Sequence, residues 1–190
     1  MAFKWTPHRF SGGTLAFDLA NSVILRHDPA RRRDRLQGID DVAVFAAAAS
    51  HHCAEADAAF PYQPCPPSAF EALVNLRETI DRHFRSLAAT GENSLGNLSC
   101  LIAETGAILK MPNISARRID AAAALSALAL AMESRNSPRM SARIKLCANC
   151  GWLILDKSRN QSRTWCDMAV CGNREKAKRH YRKHLERHVP

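Results

Sequence analysis

The sequence predicts a mainly α-helical chain: a multi-helix body over residues 1–140 and a small cysteine-bearing module over 141–190. Three observations carry this. Alanine is abundant and comes in runs, as at 46–49 and 121–124, and alanine is the strongest helix former. The β-branched runs that a sheet protein needs are sparse, and aromatic content is only 6%. Four of the seven cysteines fall within the 25 residues from Cys147 to Cys171.

The elements follow in order. In TLAFDLANSVIL (14–25), Leu15, Leu19, Ser22 and Val23 recur at helical spacing, with Asp18 and Asn21 beside the apolar stripe. That polar pair fits either a small-ligand site or hydrogen bonds to nearby backbone. RHDPARRRDRLQG (26–38) is charged and contains proline, so it reads as an exposed loop. Asp40 or Asp41 is placed to cap a helix through VAVFAAAAS. The proline-rich stretch after it is an irregular connection. Ser68, with Glu71 three residues on, forms a capping box for a long helix whose apolar face is Phe70, Leu73, Val74, Leu76, Ile80, Phe84 and Leu87. A further helix spans Leu95 to Leu109, and Pro112 stops it. The next, from about Ser115 to Glu133, is nearly all apolar after Asp120 and belongs at the centre of the core. SRNSPRM then breaks the chain at Pro138. Cys53, Cys65 and Cys100 match no metal spacing and read as structural or exposed thiols.

The longest apolar stretch, Ala121 to Met132, is too short to span a membrane, and the N-terminal residues lack the apolar core of a signal peptide. A cytoplasmic protein is expected, with thiols kept reduced, so clustered cysteines argue for metal before disulfide.

The net charge is +9 and uneven. Residues 143–190 hold 12 lysines and arginines against 4 acidic residues, while residues 1–142 hold 15 against 14. A neutral body therefore carries a basic module, which suits either a nucleic-acid partner or a solvated basic helix.

The cysteines are spaced Cys147-x2-Cys150, fifteen residues, then Cys166-x4-Cys171. A CxxC turn delivers two sulfurs from one tight loop, and Gly151 lets the chain leave that turn with positive φ. WLILD (152–156) and SRTWC (162–166) are expected to pair as a hairpin across the KSRNQ turn, carrying Cys166 back to the first pair. Cys171 then sits where a helix begins. Knuckle, hairpin and helix make a treble-clef-like arrangement holding one structural Zn²⁺ in a closed four-cysteine site, ahead of a redox dithiol, disulfides or an iron–sulfur cluster.

The last helix, GNREKAKRHYRKHLERHVP, places Ala177, Tyr181, Leu185 and His188 on one face expected to pack on the hairpin or body. Lys176, Lys178, Arg179, Arg182, Lys183 and Arg187 cover the rest and suit phosphate contact, with Arg174 at the helix start and Arg159 and Arg163 on the hairpin able to join. Asn173 and Arg174 also fit support of the zinc thiolates or a helix cap. His180, His184 and His188 share a face, which suits a second metal or plain surface residues.

The run Cys147, Cys150, Leu155-Asp156, Ser158-Arg159-Asn160, Arg163, Trp165-Cys166, Cys171-Gly172-Asn173-Arg174 and Lys176 resembles the CGNR zinc finger. That finger usually follows a helical ABATE domain opening on a motif like L-D-(F/L)-x-N-T, which Phe17-Asp18-Leu19-Ala20-Asn21-Ser22 resembles with Ser for Thr. The resemblance implies a bacterial transcriptional regulator whose finger meets double-stranded DNA and whose body senses an effector or dimerises. A protein-interaction or RNA-associated module is the alternative. An enzyme is not expected: there is no Gly-rich phosphate loop, no nucleophile elbow and no open metal site, and residues 147–179 lack the histidines a treble-clef nuclease needs.

Overall fold

The computed structural model describes residues 3–186, without the side chains of Lys183, Leu185 and Glu186. Helices α1 (Leu15–Ala20), α2 (Ile39–His52), α3 (Phe70–Thr90), α4 (Leu95–Leu109) and α5 (Ile119–Asn136) build the body. The short strands β1 (Val23–Ile24) and β2 (Arg33–Asp34) pair antiparallel between α1 and α2. The one-turn helix α6 (Pro138–Ser141) leads to strands β3 (Ile144–Leu146) and β4 (Leu153–Leu155), and α7 (Asn173–Glu186) ends the described chain.

Thr14 caps α1 through its side chain, which accepts from the Phe17 amide, and all six residues of α1 are buried. Ser94 caps α4 in the same way. The caps expected at Asp40 or Asp41 and at Ser68 are not made. Pro66 and Pro67 start a 3-10 turn (Pro67–Ala69), so α3 begins at Phe70 behind Ala69 and Ser68 stays exposed. Gly38 stands at the start of α2, and the Asp41 carboxylate accepts from the Gln37 amide instead. Gly91 closes α3 in the left-handed region, at φ 74°. α5 starts at Ile119, after a turn in which the buried Asp120 pairs with the Arg118 guanidinium at 2.6 Å.

α5 is the central helix. Its buried face is largely alanine (121–124, 127 and 131), and side chains that small allow α1 and α4 to pack closely on it. Residues 26–38 are more than an exposed loop. Leu36 is buried, and Asp34 on β2 receives both guanidinium nitrogens of buried Arg77 at 2.7 Å. Cys53 and Cys65 are buried and Cys100 exposed.

The hairpin differs from the expected one. β4 pairs with β3, in the register Ile144↔Leu155, Lys145↔Ile154 and Leu146↔Leu153. The CxxC turn is itself the hairpin connection: the Cys147 amide donates to the Trp152 carbonyl, and the Gly151 amide to the Cys147 carbonyl. That leaves 162–166 without a strand partner, and a side-chain network holds it as a loop.

Ile144, Leu153 and Leu155 lie in the same apolar core as α1, α3 and α5. Polar contacts join hairpin and body too. Asn21 Nδ2 donates to the Leu153 carbonyl and Asn21 Oδ1 accepts from the Leu153 amide, both at 2.9 Å. The Leu155 amide donates to the Gly12 carbonyl, and Arg85 donates to the Gly151 carbonyl. Among the described residues no helix is long and apolar enough to cross a membrane.

Candidate metal centre and the basic helix

The knuckle leaves through a left-handed residue. Gly151 has φ 71°, and a Cβ there would also meet the His27 ring at 3.3 Å. Cys166 and Cys171 arrive from the far side. Asp167 caps a π-helical turn, Met168–Gly172, through an Oδ1 contact to the Val170 amide, and Cys171 falls inside it. A Cβ on Gly172 would press on Met168 and Trp165, so the glycine of the CGNR tetrapeptide answers a close approach.

The four sulfurs lie within 4.8 Å of one another. Cys166 and Cys171 are 3.4 Å apart, and Cys150 and Cys166 3.6 Å, far beyond a disulfide bond of about 2.05 Å. Tetrahedral zinc with sulfurs at about 2.3 Å needs edges of about 3.8 Å, which this cluster fits. Cys147, Cys166 and Cys171 are buried and Cys150 half-buried, so no coordination position is left open to solvent chemistry. One structural zinc ion is bound here; it cross-links knuckle and helix start.

The support around the sulfurs was only partly legible. Asn149, inside the knuckle, donates to Cys171 Sγ at 3.3 Å and accepts from Lys178 Nζ at 3.0 Å. It fills the role expected of Asn173, which is exposed as the first residue of α7. A polar residue between two metal cysteines is the signal that points to it.

The Asp156 carboxylate is fully buried. It accepts from Lys145 Nζ, the Ser158 amide and hydroxyl, and the Arg163 amide. Burial opposes its ionisation, but these donors outweigh that and hold its carboxyl well below the usual carboxylate range. Arg163 is half-buried, and its guanidinium donates to the carbonyls of Ser11, Leu155, Trp165 and Cys166. Asp156 and Arg163 thus lock the loop that carries Cys166.

Asp18 and Asn21 are both buried. Asp18 Oδ1 accepts from the Gly12 amide, its Oδ2 has no hydrogen-bond partner, and burial pushes its pKa up to about 8. With Asn21 bonded to Leu153, the pair positions hairpin and N-terminal loop on α1.

α7 does not pack as expected. Ala177 and Tyr181 are exposed, Tyr181 at 65%. Arg159, Arg174, Lys176, Lys178, Arg179 and Arg182 are all exposed. Glu175 pairs with Arg182 at 3.1 Å, whereas Lys176 and Arg179 have no ion pair among the described residues. His180 and His184 are exposed on α7. The Lys183 and Leu185 side chains, and Arg187 and His188, lie outside the described residues.

A helical body fused to a closed four-cysteine finger with an exposed basic helix defines a zinc-finger protein. Residues 143–184 match the family model "CGNR zinc finger", and residues 13–143 match ABATE, "Putative stress-induced transcription regulator". The chain belongs to the ABATE family, whose model covers more than half of it. No curated protein and no solved structure matches the chain significantly. Neither matched family is an enzyme family.

Proposed function

We propose that the chain is a cytoplasmic DNA-binding regulator in which the zinc centre fixes α7 for contact with duplex DNA. The observation that carries this reading is α7 itself: a helix that starts at the zinc turn and exposes Arg174, Lys176, Lys178, Arg179 and Arg182. Cations on a rigid exposed helix suit phosphate contact and groove entry. Arg159 adds to the contact, and Lys183 belongs with it by sequence. Four thiolates and one Zn²⁺ carry a net charge of −2, which leaves the module cationic. The body (1–140) and finger (141–190) act as one unit, with the body sensing an effector or dimerising. A single finger has a small footprint, so specific binding calls for a homodimer.

RNA association is the second reading, and the exposed Tyr181 ring favours it, because an exposed aromatic can stack on an unpaired base. Fluorescence anisotropy of the zinc-loaded protein against random duplex DNA and RNA, over about 50–200 mM salt, separates the two. Duplex binding weakened in Lys176→Ala/Arg179→Ala and unchanged in Tyr181→Ala supports the DNA reading. Preference for single strands, lost in Tyr181→Ala, supports RNA. No binding to either at low salt removes both.

A further inference from the structure

A cavity of about 580 Å³ opens where the body meets the finger. Its body wall is the N-terminal turn with His8 and Arg9, together with Arg31, Arg33 and Arg35 on and beside β2; its finger wall is Val170 and Arg174. The volume falls within the range of small-molecule sites, about 300–1,000 Å³.

Arg35 lies over the Phe3 ring at 4.1 Å and Arg9 over the Phe3 and Trp152 rings, but few carboxylates face the arginines of this cavity. Two carboxylates meet its lining residues: Asp28 pairs with Arg31 at 2.5 Å, and Asp167 lies 3.2 Å from His8. Arg33 and Arg35 have no ion pair among the described residues, and Arg35 Nε is buried without a hydrogen-bond partner. Burial disfavours the charge of Arg9, and Arg35 and Arg174 stand close enough to disfavour it further.

Gathering like charges costs free energy unless an anion relieves it, and guanidinium forks match phosphate oxygens bidentately. Ile24, Leu25 and Val170 add an apolar wall for a non-phosphate portion. We infer that this cavity is a binding site for a small soluble anion carrying two or more phosphates, seated between body and finger. A concave site walled on both sides favours a compact ligand over a duplex backbone, which needs an open track. Arg174 is shared with the start of α7, so an occupant would touch the element that bears the basic helix. The inference stands whether or not α7 contacts DNA.

The test is isothermal titration of the zinc-loaded full chain with inorganic pyrophosphate, a nucleoside triphosphate, sulfate at matched ionic strength, and random duplex DNA. Zinc content is measured before and after, so that chelation is not read as binding. Saturable binding of pyrophosphate or the triphosphate, tighter than sulfate, is expected. It should weaken about tenfold in Arg33→Ala, the size of one lost charge-assisted contact. Arg33 is exposed and has no ion pair among the described residues, so the variant should fold; an unchanged unfolding temperature without ligand confirms it. Arg33→Lys should recover part of the affinity. Absence of saturable heat, equal binding of sulfate, or wild-type affinity in Arg33→Ala overturns the site. Weaker binding of DNA alone in Arg33→Ala overturns it too, and makes the cavity a backbone contact.

Discussion

Two buried carboxylates, Asp18 and Asp156, show how differently one residue type is used. Asp156 is surrounded by donors and its pKa is depressed; Asp18 has one amide donor and is pushed up to about 8 by burial. The signs of their contributions are opposite. The depressed group adds stability that is present above the unfolded value, about 3.9, and is lost as pH falls through its folded value. The raised group lowers stability as pH climbs from about 4 to about 8, because the folded state holds its proton more tightly. Asp156→Asn should therefore cost about 3 kcal/mol at neutral pH, as expected for a broken buried ion pair, and flatten the acid limb of a stability–pH curve. Asp18→Asn should flatten the slope between about pH 4 and 8 instead. Denaturant unfolding at several pH values reads both, and an unchanged profile in either variant removes the assignment for that residue. The sequence places Asp18 beside an apolar stripe and Asp156 in a motif. It does not reveal which is rich in donors, because Lys145 and Arg163 reach Asp156 only through the fold.

At the scale of elements, the legible features were those set by local rules. Helix α4, the central alanine-rich helix and the CxxC turn follow from spacing and composition. The hairpin partner and the packing of α7 did not, since both depend on what lies across the chain. The β-prone run WLILD has two neighbours in sequence. It pairs with the earlier one because the zinc knuckle closes that hairpin and because Ile144, Leu153 and Leu155 complete the body's core. The core membership changes what metal loss should do. Removing zinc frees the knuckle, the π-helical turn and α7, which are joined through sulfur. Chelation should therefore raise amide exchange over 147–151 and 166–186, while the Leu153 and Leu155 amides, bonded to Asn21 and Gly12, stay protected. Uniform deprotection of 143–186 would mean that the metal, not the body, holds the strands.

For the whole molecule, the polar seam at the hairpin serves stability, and on the proposed reading the positive excess in the last quarter serves DNA contact. Asn21 belongs to the seam. Asn21→Ala strips two hydrogen bonds from the buried backbone of Leu153 and should cost about 2–4 kcal/mol. It removes no charge, so the salt dependence of DNA binding should not change wherever the variant remains folded. Lys176 and Arg179 belong to the other class: exposed, without ion pairs among the described residues, and remote from the core. Replacing both by alanine should leave the stability within about half a kcal/mol of wild type. The slope of log affinity against log salt should become shallower by roughly 1.8, because each phosphate contact contributes about 0.9. Measuring the two variants side by side separates the outcomes. A changed slope in Asn21→Ala would mean that the seam sets the helix position relative to DNA, and an unchanged slope in the double variant would take α7 out of the contact.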